Sequence, residues 1–186
     1  MSTTVRSSEA TTQLTGESKI AKAFGLEGDN WIRHANPVSV WTRFAVLPLL
    51  AVSIWSRDWI GWWSLVPITL SLIFIKMNPV LFAKPKSTRN WASKAVLGER
   101  VWADRNKVDV PSQYRSQATN FVTYAFQIVG IAFSTYGLVV LGLVGLLTVT
   151  AGLLLVQCAK AWYCDRMVLL FEDMKVRTAK YAEWEY

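Results

Sequence analysis

The stretch FVTYAFQIVGIAFSTYGLVVLGLVGLLTVTAGLLLVQC, from Phe121 to Cys158, decides the fold class. It contains no Lys, Arg, Asp or Glu, and neither does the shorter stretch from Trp59 to Ile75. Helices of soluble proteins need a polar face toward water, so such long uncharged runs are typical of membrane helices. The sequence therefore predicts an all-α polytopic membrane bundle, with four transmembrane helices and a cytoplasmic interfacial amphipathic helix.

The apolar runs divide into four expected membrane crossings, at about residues 37–56, 59–76, 119–136 and 138–158. The first crossing begins at Asn36-Pro37, because Asn is a good N-cap and Pro suits the first helical position. Within it, Pro48 has no N–H to offer and should leave the carbonyl of Phe44 free. An alternative has only two crossings, with the first hairpin re-entrant, and keeps the same sidedness.

The crossings define the expected domain limits. Residues 1–18 lack any periodic apolar pattern and predict a disordered N-terminal tail. A membrane domain is then expected over residues 19–175, and a C-terminal tail over 176–186. Ser18–Gly25 could form a short interfacial helix, with apolar residues on one side and lysines on the other.

The long connection between the second and third crossings contains a further helix. In WASKAVLGERVWA, residues 91–103, apolar residues recur at roughly helical spacing with charges between them, which predicts a helix lying at the membrane surface. Before it, Asn78-Pro79 predicts a chain break followed by a new helical turn.

Small residues predict how the third and fourth crossings pack. They form two faces, one on each crossing: Gly130, Ser134 and Gly137, and Gly145, Thr148 and Gly152. Small side chains let helices approach closely in lipid, where packing replaces the hydrophobic drive. The turn between these crossings is expected near Tyr136-Gly137.

Positive charge is distributed very unequally along the chain. Of the twenty Lys and Arg residues, only Arg57 lies in a turn opposite to the other nineteen. The positive-inside rule therefore predicts an even number of crossings in the cell membrane, with both termini in the cytoplasm. The net charge is +7, and the lysines and arginines that produce it flank the apolar segments. Anionic lipid headgroups are thus the expected partner, and nucleic acid is not.

Several polar residues gather at the expected cytoplasmic boundary. Together they form a candidate interface site: His34, Asn36, Arg43, Asn78, Lys84, Glu99, Arg100, Asp165 and Arg166. Helix N-termini at Pro37 and Pro79 would add free N–H groups for an anion such as a lipid phosphate. In the alternative interpretation these residues cap helices, pair with one another and anchor the protein to lipid.

Recognisable catalytic and metal motifs are missing from the sequence. One histidine with Cys158 and Cys164, six residues apart, does not make a zinc site. There is no Walker loop and no GxSxG sequence. We therefore expect no metal and no cofactor. His34 could carry a proton near neutral pH, and Asp165 could complete an acid–base pair if the two meet.

Four stretches are HANPVSVWTR (34–43), MNPVLF (77–82), WASKAVLGER (91–100) and WYCDRM (162–167). Their motifs, among them H-x-N-P-x-S-x-W-T-R and M-N-P-x-x-F, resemble a family of small multi-pass membrane proteins catalogued only as a domain of unknown function. The likeness runs from about residue 30 to 175. It implies a prokaryotic cytoplasmic membrane, and it brings no activity, substrate or cofactor.

Three functions are compatible with this sequence. The leading one is a non-enzymatic membrane protein that binds lipid or partner subunits, including further copies of itself. The alternative is an enzyme or carrier acting on an amphiphilic substrate at the cytoplasmic leaflet. It would use His34, Arg43, Glu99 and Asp165. A third is an oligomeric channel. One cavity lined by those four residues would favour the enzyme or carrier, and separate caps and ion pairs would favour the first.

Overall fold

The computed structural model describes residues 15–186, and all regular secondary structure in this part of the chain is helical. The elements are α1 (Gly16–Ala23), α2 (Asn30–His34), α3 (Pro37–Trp55), α4 (Arg57–Ile60), α5 (Leu65–Leu81), α6 (Trp91–Ala103), α7 (Gln117–Val140), α8 (Gly142–Arg177) and α9 (Ala179–Ala182), with 3₁₀ turns at Gly61–Ser64 and Ser112–Arg115. The all-α class is confirmed. Of the expected N-terminal tail, residues 1–14 lie outside the described residues, whereas residues 16–18 already belong to α1.

Three stretches are long and apolar enough to cross a membrane: Pro37–Leu81, Gln117–Val140 and Gly142–Arg177. The first of them is folded back on itself, since α3 ends at Trp55 and α5 begins at Leu65. Near the end of α5, Asn78 accepts a hydrogen bond from Ser39 Oγ at 2.9 Å and donates to Thr42 Oγ1 at 2.8 Å. Both partners lie in the first two turns of α3, so α3 and α5 form an antiparallel hairpin.

The chain break expected at Asn78-Pro79 is wrong. Helix α5 runs through Pro79 to Leu81. Its side-chain bonds to α3 hold Asn78 in the helix, and Asn78 is buried. Pro79 lies in the last turn, where its missing N–H removes little more than one hydrogen bond, to the carbonyl of Ile75. Pro79 is therefore not a helix N-terminus, and it cannot offer the free N–H groups expected there for an anion.

The carbonyl expected to be freed by Pro48 finds a partner on another helix. Gln157 of α8 donates a hydrogen bond from Nε2 to the carbonyl oxygen of Phe44. One turn further along α8, Lys160 Nζ donates to the carbonyl of Arg43 at 2.7 Å. The proline in α3 thus creates a polar attachment point for α8 within an apolar stretch.

Helices α7 and α8 form a second antiparallel hairpin, and the two expected small-residue faces meet in it. A Cβ built on Gly137 would lie 2.5 Å from the carbonyl oxygen of Gly145, and one built on Gly152 would lie 2.5 Å from that of Gly130. The turn lies at Leu141-Gly142, both with positive φ, and not near Tyr136-Gly137 as expected. The reason is that Gly137 serves close helix packing and leaves the turn to a later glycine.

The remaining segments form a unit that we call the head: α1, α2, α6, the part of α8 after residue 158, α9, and residues 82–90 and 104–116. Its core contains Leu97 of α6 and Leu170 and Phe171 of α8, all fully buried. Helix α6 spans residues 91–103 as predicted. It is nevertheless not a helix that only lies on a surface, because α8 extends beyond its apolar part and covers it.

The C-terminal residues 176–186 pack against the rest of the head, although the sequence predicted a tail. The backbone N–H of Thr88 donates to the carbonyl of Tyr186 at 2.9 Å. Glu185 pairs with Lys94 at 3.0 Å and with Lys175 at 2.7 Å. These contacts are long-range in sequence, and nothing in the local pattern of residues 176–186 announces them.

Candidate ligand-binding site

A cavity of about 370 Å³ lies where the head meets the α3–α5 hairpin. Most of its wall is apolar and comes from α1, the segment after it, α3, and α5: Ile20, Ala21, Phe24, Leu26, Val46, Leu47, Ile75 and Pro79. The wall also contains Tyr163 and four acidic or basic side chains: His34, Arg43, Glu99 and Lys160. Such a mixture of apolar wall and a few polar groups is typical of small-molecule sites.

Arg43 determines which nitrogen of the neutral His34 ring carries the proton. Its Nη1 lies 2.7 Å from His34 Nε2. A guanidinium has only donors, so Nε2 must accept and the proton of the neutral ring is on Nδ1. Burial lowers the pKa of His34 well below its usual 6.5, and the charges of Arg43 and Lys160 lower it further. His34 is 4% exposed, and within residues 15–186 its Nδ1 has no hydrogen-bond partner.

We expect this single histidine to stay neutral at physiological pH, and NMR titration can measure its pKa. Since the unfolded chain binds the proton more readily, the free energy of unfolding should decrease as the pH falls below about 6.5. Substituting Arg43→Gln should raise the pKa of His34, because it removes a neighbouring positive charge. A pKa at or above 6.5 in the folded protein would contradict the assigned tautomer.

Arg43 and Lys160 are two cations held side by side. Arg43 Nε donates to the carbonyl of Ser39 at 3.3 Å, and Lys160 Nζ lies 4.4 Å from the centre of the Phe44 ring. Neither cation forms an ion pair with any carboxylate of residues 15–186. The hydrogen-bond partners of Arg43, the carbonyl of Ser39 and the ring of His34, are neutral groups.

Glu99 lies in the same cavity. Within residues 15–186, its carboxylate is not at ion-pair distance from any lysine or arginine. Burial raises the pKa of Glu99, and the charges of Arg43 and Lys160 oppose that rise. The cavity therefore carries two positive charges, at most one negative charge, and a neutral histidine.

Lys160 is not among the residues that the sequence predicts for the site. It is the first charged residue after the long apolar run, and that position by itself indicates only the end of a crossing. A usable signal is present, because Lys160 follows Gln157 by three residues, and the two lie on one face of a helix. That face meets α3 at the carbonyl left free by Pro48.

The other expected site residues are engaged elsewhere, in caps and pairs. Asn36 caps α3 by accepting from the N–H of Val38 at 2.9 Å. Lys84 pairs with Asp29 at 2.7 Å. Asn78, described above, joins α5 to α3. For these three residues the alternative interpretation, of caps and anchors, describes the contacts better.

Three further expected residues lie in the head, away from the cavity wall. The guanidinium of Arg100 lies 4.2 Å from the centre of the Trp184 ring. Asp165 accepts from the indole N–H of Trp91 at 3.2 Å. Arg166 donates to the Asn120 side chain and to the carbonyl of Tyr114, both at 3.2 Å. Asp165 does not meet His34, so the suggested acid–base pair of these two residues is not formed.

The model of a family of unknown function, DUF6653, matches residues 15–184. The chain belongs to this family. The DUF6653 match extends beyond the likeness expected from about residue 30 to 175, and it includes α1, α9 and the chain up to Trp184. No curated protein and no solved structure matches the chain.

Proposed function

We propose that this DUF6653 protein is integral to the cell membrane and crosses it four times, with α3, α5, α7 and the first part of α8. The folding back of the Pro37–Leu81 stretch supports an even number of crossings. Arg57, at the tip of the first hairpin, donates to the carbonyl of Leu138 near the tip of the second, so the two tips lie together. The head, with nearly all the positive charge, is then cytoplasmic.

Exposed tryptophans support the same arrangement. Trp59, Trp62 and Trp63 are exposed at the tip of the first hairpin, whereas Trp41 and Trp162 are exposed near the head. Indole rings prefer the headgroup level of a bilayer, so two separate groups are expected for helices that cross from one interface to the other. Between the groups, the outward side chains of α5, α7 and α8 are predominantly large and apolar.

Cysteine labelling in intact cells tests this topology. In a chain whose two native cysteines are replaced by alanine, Asp58→Cys should react with a membrane-impermeant maleimide from outside. Lys86→Cys should react only after the cells are opened, because residue 86 lies in the head. Labelling of both positions from the same side would contradict the four-crossing arrangement.

For the function, we propose that the protein binds an amphiphilic molecule in the cavity between head and hairpin, without transforming it. The observation that supports this most is the cavity itself, which joins an apolar wall to four acidic or basic side chains at the level where the apolar helices meet the head. An amphiphile satisfies both parts at once. The hydrocarbon chain of the amphiphile replaces water on the apolar wall, and its polar headgroup contacts Arg43, Lys160 and Glu99.

Native mass spectrometry of the gently extracted protein tests this proposal. The wild-type protein should retain a bound amphiphile. Leu47→Trp should lose it, because Leu47 lines the cavity and the larger ring fills it. Leu49→Trp is the matched control, since Leu49 lies on the same helix and is 60% exposed. A wild-type protein without bound mass, or equal loss in both variants, would contradict the proposal.

An enzyme acting on the same molecule is the second candidate function. It is favoured by one observation, namely that Glu99 and His34 line one cavity, where His34 Nδ1 has no hydrogen-bond partner within residues 15–186. Incubation of the protein with its extracted ligand distinguishes the two functions. An unchanged ligand mass supports binding alone. A changed mass that disappears with Glu99→Gln would establish the enzyme instead.

A further inference from the structure

The cavity contains more positive charge than the protein compensates. Arg43 and Lys160 both line it, and neither has a carboxylate at ion-pair distance within residues 15–186. Within residues 15–186, Arg43 donates from Nε to the carbonyl of Ser39 and from Nη1 to His34. A guanidinium has five N–H donors in a fixed planar arrangement. Donors therefore remain for a further acceptor, beside the ammonium group of Lys160.

Charged groups away from bulk water are costly unless they are paired. In other proteins a partly buried arginine is usually found opposite an aspartate or glutamate, and here a neutral imidazole occupies that place. The arrangement holds the guanidinium in a defined position without neutralising it. The missing negative charge is then expected to come from a ligand.

We propose that the ligand is an amphiphile with a single hydrocarbon chain and a monoanionic polar headgroup, either a carboxylate or a phosphodiester. Arg43 and Lys160 bind this headgroup. This inference rests on the proposed function of the cavity and names its ligand class. A phosphodiester or carboxylate presents two oxygens, which match the fork of guanidinium donors. Lys160 contributes a second, less directional contact.

Glu99 restricts the charge of the ligand's headgroup to a single negative unit. With Arg43 and Lys160 charged and Glu99 ionised, the cavity has a net charge of one positive unit. A phosphomonoester carries about 1.5 to 2 negative charges at neutral pH, and would bring the excess charge close to Glu99. Glu99 is therefore the specificity-determining residue, because it repels dianionic heads while Arg43 and Lys160 attract monoanionic ones.

The volume of the cavity fits a single hydrocarbon chain. At about 370 Å³ it lies near the lower end of the ~300–1,000 Å³ range of small-molecule sites. One acyl chain is enough to occupy this space, so a ligand with a single chain suffices. Ala21 and Phe24 of the N-terminal α1 segment and Leu47 of α3 lie in the apolar wall that the chain would contact.

Displacement of a dansyl-labelled fatty acid from the purified full-length protein in detergent measures the ligand class. The competitors share one palmitoyl chain and differ in the polar headgroup: palmitate, lysophosphatidylglycerol, the neutral monopalmitoylglycerol, and the phosphomonoester lysophosphatidic acid. Palmitate or lysophosphatidylglycerol should bind ~10–100-fold more tightly than the neutral compound, as expected for charge-assisted hydrogen bonds. The tighter of the two identifies the head as carboxylate or phosphodiester.

Variants assign this preference to residues. Lys160→Gln and Arg43→Gln should each lower the affinity for the anionic compounds far more than the affinity for monopalmitoylglycerol, and Arg43→Lys should retain part of the preference. Lys86→Gln, an exposed charge in the head, is the matched control and should change nothing. Glu99→Gln should increase the affinity for lysophosphatidic acid roughly tenfold relative to palmitate. If Arg43→Gln does not fold, Lys160→Gln and Glu99→Gln still carry the test.

The outcomes separate this inference from the function on which it rests. Equal affinity for the neutral and the anionic compounds would overturn the proposal that the ligand has a monoanionic headgroup. It would leave the proposal of an amphiphile-binding site intact. Tightest binding of lysophosphatidic acid by the wild-type protein would overturn the role of Glu99. If no competitor displaces the probe, and the probe itself does not bind, the proposed function fails as well.

Discussion

Replacing Gly98 by alanine is expected to destabilise the protein by about 3 kcal/mol or more, at or above the upper end of what overpacking usually costs. A Cβ at this position would overlap the carbonyl oxygen of Met167 and lie 2.6 Å from its carbonyl carbon. Both contacts are with the backbone of α8, which cannot move aside as the end of a flexible side chain can. Helix α6 would have to separate from α8 along the core of the head.

Chemical unfolding in detergent, followed by tryptophan fluorescence, measures the effect. Gly16→Ala is the matched control, because Gly16 is also in a helix and a Cβ there meets nothing within 4 Å. Helix propensity alone predicts that alanine stabilises the control by up to about 1 kcal/mol. Similar free energies of unfolding for the two variants would mean that α6 and α8 do not pack as closely as described.

The second large effect is expected for Leu170→Ala, which should lower the free energy of unfolding by about 2–5 kcal/mol. Leu170 is 0% exposed in the core of the head. Its neighbour Leu169, on the same helix, is 54% exposed. Leu169→Ala therefore removes the same atoms from a surface position, and should change stability by no more than about 0.5 kcal/mol.

This pair of leucines tests where α8 changes its surroundings. In its first part, most large side chains of α8 are exposed, as suits contact with lipid. After residue 158 the same helix supplies four residues of a protein core that also includes Leu97: Met167, Leu170, Phe171 and Met174. Equal effects of Leu169→Ala and Leu170→Ala would contradict that core, and would favour a helix that merely lies along the membrane surface.

Much of the local structure could be predicted from the sequence, because its causes lie within one or two helical turns. The start of α3 at Asn36-Pro37 depends on a cap and on the fixed φ of proline. The limits of α6 follow from helical periodicity, and the free carbonyl of Phe44 follows from Pro48. The small-residue faces of α7 and α8 were likewise predictable, although the position of their turn was not.

The candidate site was predicted less well, and the reason lies in how its residues come together. His34, Arg43 and Glu99 were predicted and do line one cavity, whereas Asp165 was predicted and lies on Trp91. Lys160 lines the cavity and was missed. Which of these charges share a space depends on which turn of α8 faces α3. In the sequence, the only indication of that turn is the spacing of Gln157 and Lys160, which meet the carbonyls of Phe44 and Arg43 near Pro48.

By itself, the sequence determined the helical class, the long uncharged apolar runs and the unequal distribution of charge. These follow from residue chemistry alone, since uncharged runs and their flanking lysines and arginines are visible without knowing any contact. Only the tertiary structure decided that α8 continues into a head, that residues 176–186 return to it, and that Arg43 and Lys160 lie side by side without a carboxylate. Each of these depends on contacts between residues far apart in the chain, where burial outweighs local preference.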